Sequence, residues 1–288
     1  MAPGRRTATP TRRAAAEKPA VAAPPPTAGV STLAPARTVS ASTRRAFLAW
    51  TAVWWGLVGV WGLLFYVDRL DFVTSAQRSL YGICVWLNGF LLALWTARGR
   101  PRLERFHELV SLWLVSYGVT NAAWELPFVL LSRTVFVDLR TLDDVVALTP
   151  WMRERPANMW FWVLASFSSC DLRTVNHDGT FFALELFCVI NLAATALFFK
   201  LNAARHRDRY LVPMLFLGGA PCAATCIFSF AEVFNGYANM PGGVADTLLA
   251  LVWTQYQYVV FPVLVAGLCV PLLRADWAET AEQSPSSG

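Results

Sequence analysis

The sequence predicts an all-α membrane protein that crosses the bilayer several times. Of its 288 residues, 56% are hydrophobic and only 15% are charged, whereas soluble domains average about 45–50% and about 25%. Six apolar segments are long enough to cross a hydrocarbon layer of about 30 Å. Thirteen tryptophans suit interfacial belts and an aromatic-lined cavity. We therefore expect a polytopic bundle of six transmembrane helices.

Each predicted span is an apolar run bounded by charged or polar residues. The six runs are 46–67, 79–97, 108–131, 179–201, 210–231 and 247–273. Pro127 lies inside the third run, where we expect it to kink the helix. The apolar segment 158–167, between the third and fourth runs, is too short to span the bilayer. It is expected to be a re-entrant or interfacial helix.

Polar segments flank this predicted bundle at both ends. Residues 1–43 are rich in Ala, Pro, Arg and Thr, and Glu17 is their only acid. Such a composition buries little apolar surface, so we predict a disordered basic tail and not a transit peptide. The polar residues 275–288 are predicted to be a second disordered tail. The transmembrane bundle is thus expected to occupy residues 44–274.

Basic residues set the predicted orientation. They concentrate in the N-terminal tail and in the loops 98–105 and 200–209. With six spans all three segments lie on one side, which the positive-inside rule assigns to the cytoplasm. Both termini are then cytoplasmic. We attribute the net charge of +5 to the basic tail and loops that set the orientation, and we expect no nucleic-acid partner.

The cysteines and histidines suggest no metal site. Five of the six cysteines lie in apolar segments, and no CxxC pair is present, so we expect no disulfide framework. His107, His177 and His206 lie near helix ends or in loops without a second ligand close in sequence. We predict neither a metal nor a cofactor.

Three glutamates, Glu125, Glu185 and Glu232, stand in apolar segments. An acid in hydrocarbon is expensive and usually faces the bundle interior, where it serves a substrate or a proton. Asn121 lies one helical turn before Glu125 and is expected to orient it. Asp178 lies two turns before Glu185 and is predicted to guard the mouth of the site. Glu232 stands at a helix end, so an interfacial role is equally open.

Three groups of residues recur in the order and spacing of a known family. The first lies in the third span: Trp113, Gly118, Asn121, Glu125 and Phe128. The second leads into the fourth span: Asp171, Arg173, Asp178 and Glu185. The third lies in the last span: Gln255, Tyr258 and Pro262. In these groups, residues 104–274 resemble the EXPERA superfamily, and within it the emopamil-binding proteins, which are sterol delta-isomerases.

The resemblance has departures. Asn121 stands where the family has its catalytic histidine, Tyr258 stands in place of a tryptophan, and Cys188 in place of a threonine. The family has five spans and a cytoplasmic C-terminus. The resemblance therefore implies one additional N-terminal helix in this chain.

The resemblance implies an isomerase that shifts a ring double bond, of the Δ8 to Δ7 type, in a sterol or similar polycyclic lipid. A buried carboxyl suits proton delivery, and a second carboxylate can stabilise the carbocation and remove a proton. We predict Glu125 and Glu185 as this acid/base pair, with Asn121 as the third catalytic residue. The predicted substrate-binding residues are Trp124, Asp178, Cys188, Glu232, Gln255, Tyr256 and Tyr258. The endoplasmic reticulum is the expected membrane if the host is eukaryotic.

Two other classes of function stay open. A non-catalytic EXPERA member that binds or traffics sterols is favoured by the absent histidine. A proton-coupled transporter would use the same buried acids, but the sequence has neither an inverted repeat nor a pair of interrupted spans. The expected partners are the bilayer and a polycyclic lipid, and a homodimer is also open.

Overall fold

The computed structural model describes residues 32–282. Within that range the chain is helical apart from turns, loops and one isolated bridge between Leu33 and His206. The α-helices are α1 (Ala41–Tyr66), α2 (Phe72–Leu87), α3 (Ala93–Thr96), α4 (Arg102–Thr120), α5 (Leu126–Val135), α6 (Leu142–Ala147), α7 (Thr149–Glu154), α8 (Met159–Ala165), α9 (Gly179–Ala203), α10 (Leu211–Gly218), α11 (Ala220–Phe234), α12 (Val244–Thr247) and α13 (Tyr256–Glu282). The predicted all-α class is confirmed.

Four helical stretches are long and apolar enough to cross a membrane. They are Ala41–Tyr66, Phe72–Thr96, Gly179–Ala203 and Val244–Glu282. They match the first, second, fourth and sixth predicted spans. The other two predicted spans are helical, but among the described residues they do not meet the same criteria. The fifth is divided at Gly219 between α10 and α11. A membrane protein is therefore supported, while six spans stay a prediction.

Two helical runs contain a π-helical turn. One turn, Asn121–Glu125, joins α4 to α5, and the Leu126 N–H donates to the Asn121 carbonyl. Pro127 follows at once. Because proline has no N–H and its ring crowds the preceding turn, it disfavours a regular α-helix there. The irregularity lies where we predicted a kink. The second turn, Leu248–Trp253, precedes α13.

The connection between α5 and α9 folds back as short helices. Its segment Met159–Ala165 forms α8, which has seven residues and is too short to span a bilayer, as predicted. Phe161 and Trp162 of α8 are buried in a core cluster that also contains Phe65 and Phe128. This connection therefore packs against α1 and α5.

The segment 32–40 is ordered against one end of the bundle. The Ala34 N–H donates to the Arg205 carbonyl at 2.6 Å, and the Arg207 N–H donates to the Thr32 carbonyl at 2.9 Å. The guanidinium of Arg100 donates to the Thr38 carbonyl at 2.8 Å. The predicted disorder of residues 1–43 is thus wrong for 32–43, and residues 1–31 lie outside the described range.

The C-terminal prediction also needs correction. Helix α13 continues to Glu282, so residues 275–282 are not a disordered tail. Asp276 is fully buried. It accepts a hydrogen bond from Arg37 at 3.1 Å, and Arg209 Nε lies 2.9 Å from its Oδ2. These ion pairs fix the end of the helix. Residues 283–288 lie outside the described range.

A close contact between α4 and α9 positions the site. A Cβ at Gly118 would lie 3.2 Å from Thr195 Cγ2, so only glycine lets the two helices approach this closely without a shift. On the other side of the bundle, α1 packs on α2 through tryptophans. Trp50 Nε1 donates to the Trp86 carbonyl at 3.0 Å.

Candidate functional site

A cavity of about 170 Å³ lies inside the bundle. A single water needs only about 10–15 Å³ by the same measure, so the space suits an organic molecule. Its walls come from α1, α2, α8, α9, the residues around both π-helical turns and the segment after α8. Most lining side chains are aliphatic or aromatic. The cavity is therefore a mostly apolar pocket between the helices.

Glu125 and Glu185 both line this chamber. Their exposed fractions are 4% and 6%. One carboxylate oxygen of each residue and the Cys188 sulfur all lie within 4.8 Å of one another. Glu185 and Cys188 are three residues apart on α9 and so share a face, while Glu125 approaches from the end of the first π-helical turn. The structure thus brings together two acids from separate elements.

Few polar groups stabilise these acids. The Tyr258 hydroxyl donates to Glu125 Oε1 at 3.5 Å, which is long for a hydrogen bond. Glu125 Oε2 has no hydrogen-bond partner among the described residues. No basic side chain is among the described residues that line the cavity. Two ionised carboxylates this close to each other in apolar surroundings would repel strongly.

Asn121 differs from the prediction. It is fully buried, and its Nδ2 donates to the Cys188 backbone carbonyl at 2.8 Å. It therefore ties α9 to the π-helical turn and makes no hydrogen bond to Glu125. The expected orientation of Glu125 by Asn121 assumed α-helical spacing. The π-helical turn changes that spacing.

Four of the predicted substrate-binding residues line the cavity: Trp124, Cys188, Gln255 and Tyr258. The Trp124 ring is anchored because its Nε1 donates to the Val163 carbonyl at 3.0 Å. Gln255 lies in the turn between the second π-helical turn and α13, and its Nε2 donates to Thr254 Oγ1 at 3.3 Å. The structure therefore gathers aromatic and polar side chains around the two acids.

The other three predicted residues are not among those that line this cavity. Tyr256 donates its hydroxyl to Asn88 Oδ1 at 3.0 Å. It is only two residues from Tyr258, which corresponds to about 200° around an α-helix, so the two side chains point in different directions.

Glu232 and Asp178 have structural partners instead. Glu232 accepts hydrogen bonds from the Asn239 N–H and Nδ2, both at 2.8 Å, and lies 3.5 Å from Arg173 Nε. Asp178 is the N-cap of α9 and accepts from the Thr180 and Phe181 N–H groups. The predictions of Glu232 and Asp178 as substrate-binding residues are therefore corrected, because local backbone and ion-pair contacts occupy their carboxylates.

Sequence reasoning missed one wall of the cavity. It includes Trp55 and Val58 of α1, and Ser79, Ile83 and Cys84 of α2. A hydroxyl in an apolar span, such as that of Ser79, is a weak signal of an interior face. Trp55 carries no such signal, because it is one of several tryptophans on α1 and only the helix packing shows which of them faces inward.

The fold and the cavity define a helical membrane protein with paired acids in an apolar chamber. Comparisons of this chain with protein-family models, with curated proteins and with solved structures found no match.

Proposed function

We propose that this protein isomerises a ring double bond in a sterol or a similar polycyclic lipid. One observation carries the proposal: carboxylate oxygens of Glu125 and Glu185 lie within 4.8 Å of each other on the wall of an apolar cavity. Moving a double bond requires one proton to be added and another to be removed nearby. Two neighbouring carboxyl groups, one protonated and one ionised, supply both functions.

The proposed reaction balances within the site. One carboxylic acid gives its proton to an alkene carbon, and the π electrons form the new C–H bond. This leaves a tertiary carbocation. The other carboxylate removes a proton from the adjacent carbon, whose C–H electrons become the new double bond. The proton then sits on the second carboxyl and returns to the first, over at most 4.8 Å, directly or through one water.

The cavity wall also suits the cationic intermediate. Trp124 and Tyr258 line the same space as the acids. An aromatic face stabilises a desolvated cation by about 2 kcal/mol, and the ionised carboxylate adds an electrostatic contribution. The mostly apolar walls also disfavour water next to the carbocation.

Complementation tests this proposal. The full chain is expressed in a yeast strain that lacks its own sterol isomerase, and the sterol profile is measured. We expect the double bond to be shifted by the unmodified chain and not by Glu125→Gln or Glu185→Gln, with turnover lower by about 10²–10⁴-fold. Glu104→Gln is the matched control, because Glu104 pairs with Arg100 at the start of α4. An unshifted profile with the unmodified chain would contradict the proposal.

A non-catalytic sterol-binding protein is the second candidate. It is favoured by Asn121, which cannot transfer a proton and whose amide is already bonded to Cys188. An unchanged sterol profile together with saturable sterol binding to the purified chain would support this candidate over the isomerase.

The cellular setting belongs to the same proposal. A bundle of six spans with both termini in the cytoplasm follows from the positive-inside rule. The endoplasmic reticulum follows only from the sterol substrate, if the host is eukaryotic.

A further inference from the structure

Glu125, Glu185 and Cys188 offer a combination of donor atoms that the proposed acid/base reaction does not need. We infer that these three side chains form a binding site for a thiophilic divalent cation of the zinc class, and that the bound cation inhibits the reaction. The inhibition rests on the proposed function, whereas the binding does not. The first observation is the clustering of two carboxylate oxygens and one sulfur within 4.8 Å.

A second, independent observation points to a ligand. The Glu125 side chain is only 4% exposed and lines the cavity, yet its Oε2 has no hydrogen-bond partner among the described residues. A buried polar atom without a partner costs about 1–3 kcal/mol. A cation held at the cavity wall would satisfy that oxygen.

The geometry is close to that of a zinc site. Around a tetrahedral zinc, with Zn–O of about 2.1 Å and Zn–S of about 2.3 Å, ligand atoms lie roughly 3.4–3.6 Å apart. The three atoms here lie within 4.8 Å of one another, so side-chain movements of about 1 Å would bring them to the distances of a zinc site. Because all three residues line the cavity, a fourth position on the cation would be left for water. Three protein ligands and one open position are typical of zinc sites that exchange ligands.

The donor set selects the class of metal. A thiolate is a soft ligand that zinc and cobalt accept, whereas Mg²⁺ and Ca²⁺ prefer more numerous oxygen ligands. Two carboxylates neutralise the cation, and binding releases the Cys188 thiol proton and any carboxyl proton to water. The added negative charge has nearby donors. The Tyr117 hydroxyl lies 3.9 Å from Cys188 Sγ, and the Tyr258 hydroxyl lies 3.5 Å from Glu125 Oε1.

Occupation of this site is incompatible with the proposed proton transfers. A cation bound to Glu125 and Glu185 holds both carboxyl groups in the ionised form, so neither can supply the proton. It also fills the space next to them. We therefore expect the cation to inhibit the isomerase.

Cobalt is the probe, because a thiolate bound to Co²⁺ gives near-ultraviolet charge-transfer absorption. Purified full-length protein in detergent is stripped with a chelator and titrated with Co²⁺. We expect one equivalent to produce the charge-transfer band and Zn²⁺ to abolish it. Cys188→Ser should lose the band. Cys84→Ser is the matched control, because Cys84 lines the same cavity outside the cluster, and it should keep the band.

Glu185→Gln provides a second variant. It keeps Cys188 and should weaken cobalt binding by more than the roughly 10–100-fold that loss of a ligand's hydrogen-bond partner causes. Absence of the band in the unmodified chain, or its persistence in Cys188→Ser, would overturn the site. Unchanged cobalt affinity in Glu185→Gln would also overturn it.

Activity of the metal-free protein separates this inference from the proposed function. A cobalt band without isomerase activity would leave the site intact and refute the isomerase. Isomerase activity without the cobalt band would support the isomerase and refute the metal site. Where both are present, activity that is unchanged by a saturating amount of Zn²⁺ would refute the inhibition.

Discussion

Tyr256 and Tyr258 are two residues apart, and only one of their hydroxyl groups reaches the paired acids. Tyr258 donates to Glu125 Oε1 at 3.5 Å, whereas Tyr256 donates to Asn88 at 3.0 Å. Variants at the two positions therefore distinguish a contribution to the proposed reaction from a contribution to packing.

We expect Tyr258→Phe to lower turnover in the proposed isomerase reaction by about three- to tenfold, because one hydrogen bond contributes about 0.5–1.5 kcal/mol. Tyr256→Phe should leave turnover unchanged within about twofold. Sterol profiles of the two variants at equal membrane abundance provide the measurement. Equal losses in both would show that Tyr258 has no specific role at Glu125.

The sequence could identify the acids of the site but not all of their neighbours. Glu125 and Glu185 stand out because an acid in a membrane span is energetically costly and usually has a function. The same rule singled out Glu232, which the structure places beside Arg173. Sequence alone cannot tell an acid that faces a cavity from one that is held by a distant basic residue, because the pairing depends on how the helices fold together.

At the scale of single elements, the start of α2 depends on Asp71. This residue is the N-cap of α2, and its carboxylate accepts from the Thr74 N–H and hydroxyl, both at 2.7 Å. The hydrogen bond from the Thr74 backbone is the main cause that lowers the pKa of Asp71 below its ordinary value of 3.8. The cap therefore prefers the ionised form.

We expect Asp71→Ala to destabilise the protein by about 1 kcal/mol, because it removes an N-cap. Asp71→Asn should change stability by only a few tenths, since asparagine caps about equally well. Because the pKa is lowered on folding, the ionic part of the stabilisation is complete above 3.8 and is lost as the pH falls through the folded-state pKa. Thermal unfolding in detergent between pH 3 and pH 7 would measure both effects. If Asp71→Asn lost as much stability at low pH as the unmodified protein, Asp71 would not be the group that causes this pH dependence.

The helices were predictable in outline, whereas their irregularities were not. Apolar length identifies α1, α2, α9 and α13 because a bilayer imposes a minimum length. Pro127 indicated where the third helix becomes irregular. It did not indicate a π-helical turn at Asn121–Glu125, nor that Asn121 would bond to the Cys188 carbonyl. The second π-helical turn, Leu248–Trp253, has no proline next to it, so the sequence gives no sign of it.

At the scale of the whole molecule, Asp276 joins three distant parts of the chain. It pairs with Arg37 of the N-terminal segment at 3.1 Å and with Arg209 of the α9–α10 connection at 2.9 Å. Both Asp276 and Arg209 are fully buried. Glu279 also pairs with Arg37, at 3.6 Å, but its side chain is 44% exposed.

We expect Asp276→Ala to destabilise the protein by about 3–5 kcal/mol, because it leaves a buried arginine without its counter-ion. Glu279→Ala is the matched control and should change stability by at most about 1 kcal/mol. Thermal unfolding of the purified full-length variants would measure the difference. Similar stabilities of the two variants would show that the buried ion pairs do not hold the ends of the chain.

The contacts at this end of the bundle also predict on which side of the membrane the termini lie. The segment 32–40, the loop at Arg100, the connection 205–209 and the end of α13 meet at one end of the bundle. We expect tags at both termini to be digested by protease on the cytoplasmic side of sealed vesicles, while a tag inserted beside the exposed Pro156 is protected. Tags at the two termini on opposite sides would refute an even number of crossings.

The most direct test asks whether Glu125 and Glu185 meet in one cavity. Both are replaced by cysteine in a background with Cys84→Ser and Cys188→Ser, and the protein is treated in membranes with a short bifunctional thiol reagent. Mass spectrometry should find one reagent bridging the two positions. A Glu104→Cys and Glu185→Cys pair in the same background should take up two separate reagents. If the Glu125→Cys and Glu185→Cys pair also reacts without bridging, the two acids do not share a chamber.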